Sequence, residues 1–181
     1  DKNKPVILFN GEDTNFGLEF KTNGTVLNTS NFAFNKVSAT NEQVTMQMVS
    51  ADGSAVSYIY SLAPNSNKVG FTTQLKGFQN KIADNNLILN WDTKLLQQEK
   101  DIKNERMYST TYYKIVDGDV DFISETEDEE LTLNEGKVKW ISFKQHFFSA
   151  ALIAKESFNK ADIGIKILAD SSAVKAYAAK L

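Results

Sequence analysis

Apolar and polar residues alternate along most of this chain. Val44, Met46 and Met48 alternate with Thr45, Gln47 and Val49, and Val56, Tyr58 and Tyr60 with Ser57, Ile59 and Ser61. Phe32 and Phe34 flank Ala33, and Leu87 and Leu89 alternate with Ile88 and Asn90. A period of two places successive side chains on opposite faces of a strand. The valine, isoleucine, threonine, tyrosine and phenylalanine that fill these runs suit a pleated surface. Asn10-Gly11, Asn23-Gly24, Asp52-Gly53, Asp117-Gly118 and Glu135-Gly136 separate the runs. Asn-Gly and Asp-Gly supply the positive φ angles of tight hairpins, and Asp52-Gly53 is the clearest case. Pro64-Asn65-Ser66-Asn67 marks a longer turn.

The pattern predicts strands near 5–9, 16–21, 24–28, 32–37, 43–50, 55–62, 68–76, 87–93, 107–116, 120–125, 137–144, 146–154 and 162–168. Two segments depart from it. Thr93 to Met107 is polar, free of glycine and proline, and fits a short helix or an ordered crossover. Ala169 to Leu181 is alanine-rich and fits helix or strand equally. No repeat, low-complexity tract or linker divides the chain, so residues 1–181 are expected to form a single domain. That domain is all-β with little helix, a sandwich or barrel rather than alternating α/β units.

Composition narrows the chemistry. With 41% apolar and 24% charged residues the 181-residue chain has material for a core, not the profile of a disordered one. There is no cysteine, which removes disulfides, thiolate metal sites and cysteine nucleophiles. His146 is the only histidine, so no zinc site with several histidines can form. The net charge is −3 and Arg106 is the only arginine, a poor basis for nucleic-acid binding. The longest apolar stretch, Phe147 to Ala154 with Ser149 inside it, falls well short of the roughly 20 residues of a membrane-spanning helix.

Several clusters invite a chemical reading. Asp117, Asp119 and Asp121 have the spacing that opens a calcium loop, but Phe122 stands where an EF-hand needs glycine and Asp128 where it needs glutamate. A hairpin turn followed by a strand is the preferred reading. Glu125-Thr126-Glu127-Asp128-Glu129-Glu130 reads as a solvated loop between strands, with docking of a basic partner as its functional alternative. His146 lies among Phe143, Phe147 and Phe148, and no orienting partner for a general base is visible beside it. Trp91 and Trp140 are expected in the core, with sugar stacking on an exposed ring as the alternative. No GxSxG, HExxH or phosphate-binding glycine loop occurs. No catalytic, cofactor-binding or metal-binding residue is assigned, and no cofactor is expected.

One resemblance is specific. Lys139-Trp140-Ile141-Ser142-Phe143-Lys144-Gln145-His146-Phe147-Phe148, running on to Ala154, resembles a signature of the large periplasmic domain of the bacterial YidC membrane protein insertases. Upstream, Leu89-Asn90-Trp91, then Gln97-Gln98-Glu99, then Glu105-Arg106-Met107-Tyr108-Ser109-Thr110-Thr111-Tyr112-Tyr113 resemble the same family, in the version of Bacteroidetes-type bacteria. The matching core covers residues 87–154.

The resemblance implies a twisted two-sheet antiparallel β-super-sandwich like that of galactose mutarotases, on the periplasmic side of the bacterial inner membrane. It implies a non-catalytic interaction or scaffolding module beside the Sec translocon, with Sec components and nascent membrane proteins as partners of the full-length protein. The insertion groove of such proteins lies in a membrane bundle that is not part of this sequence. On this reading the chain is an excised and C-terminally incomplete piece of a membrane-tethered protein, and the shortened end is expected to leave a sheet edge unpaired and prone to self-association. Mutarotase chemistry joins a glutamate to histidines, and a single histidine leaves that set incomplete. The alternative is a carbohydrate-binding or carbohydrate-processing β-sandwich, whose mark would be an exposed Trp91 or Trp140 facing carboxylates.

Overall fold

The computed structural model describes residues 6–79, 81–169 and 173–181. Its strands are β1 (Thr14–Thr22), β2 (Thr25–Asn28), β3 (Asn35–Ala39), β4 (Gln43–Val49), β5 (Ala55–Leu62), β6 (Val69–Lys76), β7 (Ile88–Leu96), β8 (Thr110–Ile115), β9 (Val120–Phe122), β10 (Glu129–Leu133), β11 (Val138–Lys144), β12 (Ser149–Phe158), β13 (Ala161–Ile167) and β14 (Ala173–Lys180). One short helix, α1 (Ile102–Met107), interrupts them, with 3-10 turns at Thr29–Asn31 and Ala83–Asn85. The fold is almost all-β, built of antiparallel sheets. The chain divides into two compact units, residues 1–17 with 88–181 and residues 18–87.

The first unit is two sheets face to face. One runs β10-β13-β14-β7 with the start of β1 alongside, and the other runs β12-β11-β8-β9. A single core cluster draws on both: Trp91 and Leu95 from β7, Ile163 and Ile165 from β13, Val174 and Tyr177 from β14, and Tyr113, Ile141 and Phe143 from β8 and β11. Phe143 is its aromatic hinge, stacked on Trp91 at 4.1 Å and tilted against Tyr177 at 5.0 Å between ring centroids. Full burial of a side chain of this size stabilises by about 2–3 kcal/mol.

In the second unit, β3-β4-β5-β6 form a meander in sequence order, and Glu19 to Thr22 of β1 pair with β2. Asn23 and Gly24, with φ of 49° and 78°, make the turn between β1 and β2, the double positive φ that a type I′ hairpin requires. At the β4–β5 hairpin the Ser50 N–H bonds the Ser54 carbonyl, and Gly53 has φ 79°. The Asp52 carboxylate accepts from Ser50 Oγ, the Ser54 N–H and Lys81 Nζ, and the Ser50 hydroxyl above all holds it well below the usual carboxylate range. The buried centre comprises Leu18, Phe20, Met48, Val56, Tyr58 and Phe78. Tyr58 Oη and Thr29 Oγ1 lie 2.6 Å apart there, and the Leu18 N–H donates to both.

Some expectations change. Residues 6–9 are not a strand (Pro5 lies outside the described residues). Phe9 instead packs edge-on against Trp91, 6.2 Å away, and the Ile7 carbonyl accepts from Gln98 Nε2. Asn10-Gly11 is therefore no hairpin; Asn10 Oδ1 accepts from the Asp13 N–H. The strand expected at 32–37 begins at Asn35, because Asn28 caps a 3-10 turn and Phe34 leaves the ladder to stack on Tyr58. Met107 to Ser109 belong to the helix and its exit, not to β8. Glu135-Gly136 joins β10 of one sheet to β11 of the other. The acidic run is not wholly loop: Glu129–Leu133 is β10, an edge strand whose Leu131 and Leu133 pack on the core. Its carboxylates serve backbone groups, Asp128 accepting from the Ile167 N–H and Glu129 from the Ser124 N–H. Residues 173–180 are strand, with 170–172 outside the described residues. That strand, β14, lies between β13 and β7 and is not itself a sheet edge.

Candidate interaction surface

The sheet β12-β11-β8-β9 has two unlike faces. Alternation turns Ile141, Phe143 and Tyr113 inward and Trp140, Ser142, Lys144 and Tyr112 outward. Register stacks the outward set in rows: Phe122, Tyr112, Ser142 and Ala151 in one, and Lys114, Trp140 and Ile153 in the next. Tyr112 and Phe122 lie 5.1 Å apart between ring centroids. The small side chains of Ser149 and Ala151 leave a slot between taller neighbours. It encloses about 400 Å³ and is bordered by Tyr112, Trp140, Lys144, His146, Phe147 and Ile153. Phe147 is 71% exposed and Ile153 58%. Exposed apolar residues gathered in one patch, rather than scattered, mark an interaction surface.

One end of the slot rests on a polar hub built by the crossover from β7 to β8. Asp101 caps α1, its carboxylate accepting from the Lys103 and Asn104 N–H groups. The buried Glu105 then turns back, accepting from the Gln98 and Glu99 N–H groups and from Gln145 Nε2. Arg106 donates to the Leu168, Ala173 and Val174 carbonyls. Lys175, also buried, donates to the Ser109 and Glu125 carbonyls. Its loss of hydration pulls its pKa down to about 8. These charges are taken up largely by main-chain groups, of the crossover for Glu105 and of the β13–β14 connection for Arg106. Arg106 is thus a structural clamp on β14, not a phosphate ligand.

His146 sits where hub and slot meet. Its Nδ1 lies 2.9 Å from Glu99 Oε1, and its ring stacks between Tyr108 and Phe147 at 4.6 Å and 4.0 Å. The orienting carboxylate that sequence proximity did not supply therefore comes from the crossover, 47 positions earlier. Lys144 donates to the Tyr108 carbonyl at 2.7 Å. The segments around Gln98, Glu105 and His146, read as separate motifs, form one connected structure.

The other expected residues fall elsewhere. Trp91 is a core residue, but Trp140 is not: it is half-buried on the outward face and borders the slot. Among the described residues no carboxylate lines that slot beside Trp140. Asp121 accepts from Tyr113 Oη and from the Phe122 N–H, and burial chiefly, with Asp121 beside it, raises the Tyr113 phenol. Among the described residues no three His, Cys, Asp or Glu side chains converge on a metal position. Sequence reasoning missed the outward row itself. Its signal was present in the alternation of Trp140, Ser142 and Lys144 with Ile141 and Phe143, but which parity faces solvent depends on the opposing sheet.

A model of the YidC periplasmic domain family matches residues 1–180. The chain belongs to the YidC periplasmic domain family. The match extends beyond the motifs at 87–154 to the N-terminal strands. The membrane protein insertase YidC of Bacteroides fragilis is 32% identical over 181 residues, covering 98% of this chain and 29% of that protein. The YidC of Phocaeicola vulgatus is 30% identical over 162 residues (88% and 26%), and that of Porphyromonas gingivalis 27% over 172 residues (93% and 27%). The chain thus spans less than a third of the length of these relatives. As a YidC periplasmic domain it is a non-catalytic, periplasmic-facing part of an inner-membrane-associated protein. The slot and much of the hub are built from the motif residues that carried the family resemblance.

Proposed function

We propose that this chain is the interaction module of a membrane protein insertase, presenting a folded β surface beside the Sec translocon to Sec components and to nascent membrane proteins. The observation that carries the reading is the outward face of β12-β11-β8-β9. There aromatic side chains stand exposed around a slot, on a frame whose buried charges are already committed to backbone groups. Residues 1–181 act as one periplasmic domain, a reading supported by a family match that runs across both compact units. The finer architecture we assign is the mutarotase-like β-super-sandwich, in keeping with the two facing sheets of the first unit.

The test is deletion of this segment from the full-length protein, followed by insertion assays with Sec-dependent and Sec-independent substrates. Reduced insertion of Sec-dependent substrates, with less Sec component co-purified, is expected. Unchanged insertion together with unchanged co-purification would remove the proposed role.

A further inference from the structure

The strand bordering the slot, β12, is at the edge of its sheet. From Ser149 to Ile153 it carries no charge and no proline. Edge strands usually bear such residues, which discourage another chain from pairing with them. Ladder geometry shows where its main-chain groups point. The Gln145 N–H bonds the Phe148 carbonyl at 2.7 Å, making that pair hydrogen-bonded. Pairs alternate in an antiparallel ladder. With Lys144 opposite Ser149, Ser142 opposite Ala151 and Trp140 opposite Ile153, the groups of Ser149, Ala151 and Ile153 point away from β11. These residues also turn their side chains toward the slot. Beyond Ile153 the register breaks, and Lys139 Nζ occupies the Lys155 and Glu156 carbonyls. The open ladder is thus short, bounded and directly beside an aromatic cavity.

Charge selects the occupant. Lys144 is the lysine of the slot, its ammonium held by a carbonyl, and among the described residues neither it nor Lys155 has a carboxylate partner. The same edge of a second copy, Ser149–Ile153, has no carboxylate to offer Lys144, whereas an acidic segment would neutralise it. We propose that the free edge of β12 from Ser149 to Ile153 takes up an extended peptide segment as an added strand, with an apolar side chain of that segment in the slot and a carboxylate beside Lys144. This rests on the interaction-module reading and gives it a surface and a ligand chemistry.

The experiment uses the 181-residue chain and a short fluorescein-labelled peptide of alternating valine and threonine with one aspartate and one phenylalanine at its centre. Fluorescence anisotropy is expected to show saturable binding, about fivefold weaker for the twin in which lysine replaces aspartate. Methylating the peptide nitrogens that would bond β12 is expected to abolish binding without touching the protein. Ala151→Pro, which removes an outward N–H and spares the β11 ladder, is expected to do the same. Lys144→Glu is expected to reverse the preference between the twins.

Absence of binding, or binding indifferent to methylation, overturns the proposal. So does a dimer that Ala151→Pro dissolves, which would assign the edge to self-pairing. Binding of the face to phosphatidylglycerol vesicles in preference to the peptide would assign it to lipid. Failure here leaves the deletion assay of the interaction-module reading unaffected, and normal insertion after deletion leaves peptide binding unaffected, so the two are told apart.

Discussion

The two faces of β11 are one residue apart along the chain and serve opposite ends. On one, Phe143 packs against Trp91 and Tyr177 and is 1% exposed. On the other, Trp140 and Lys144 border a slot open to solvent. Aromatic residues are present on both, so residue type does not separate core from surface. Their neighbours do: the inward face meets a second sheet, whereas the outward face has only the small side chains of Ser149 and Ala151 between its walls. What is spent on stability on one face remains free for recognition on the other.

The sharpest way to break that comparison is to truncate each face in turn. Phe143→Ala is expected to cost about 3–5 kcal/mol in urea unfolding, as a cavity opens among rings that cannot collapse onto it. Trp140→Ala, on the same strand, is expected to cost about 1 kcal/mol or less. Equal losses would mean that the outward tryptophan is core after all.

The hub sharpens the contrast between a satisfied charge and an available one. Glu105→Gln keeps the shape of the side chain but replaces one acceptor oxygen with a donor, facing the Gln98 and Glu99 N–H groups. A loss of about 2 kcal/mol is expected in the same unfolding measurement. Lys144→Gln, by contrast, should leave stability unchanged within about 0.5 kcal/mol, because that lysine is at the surface.

Lys175 gives the pH dependence of the buried side. Burial lowers its pKa from the ordinary 10.5 to about 8, so between these values the unfolded chain binds more protons than the folded one. Stability from this group therefore rises with pH across that window, by about 1 kcal/mol from pH 8 to about 9.5. Below pH 8 the full cost of burying the ammonium is present. Thermal melts of Lys175→Met are expected to lack this rise, and an identical pH profile in the variant would refute the assignment.

A backbone effect lies in the second unit. Gly53 adopts φ 79° with open space where a side chain would start. Gly53→Ala is then expected to cost about 1 kcal/mol through backbone strain alone. A smaller loss would mean that the hairpin relaxes around the substitution.

Much of the architecture was legible because strand formation here is a local affair. The runs at Val44–Val49 and Val56–Leu62, joined through Asp52-Gly53, declare a hairpin within a few residues of each other, and they pair as such. Legibility ended where residues found distant partners. Phe9 looked like part of a strand but plugs against Trp91. Glu129 and Glu130 looked like loop because charge outweighed the alternation of Leu131 and Leu133, yet β13 supplies a ladder that holds them extended. Ala173 to Lys180 could not be assigned locally, since its alanines favour helix while Val174 and Tyr177 favour strand, and pairing with β13 and β7 decided it.

By itself, then, the sequence determined a β-rich chain, the hairpin turns at Asn23-Gly24 and Asp52-Gly53 and its kinship with the YidC periplasmic domains, because alternation, glycine placement and motif order are properties of neighbouring residues. Only the tertiary structure decided that Trp91 is core while Trp140 is surface, that Arg106 and Lys175 hold backbone carbonyls, that Glu99 orients His146, and that β12 ends a sheet with its edge open. Those outcomes depend on which face another layer covers, and contacts between positions tens of residues apart leave no periodic trace along the chain.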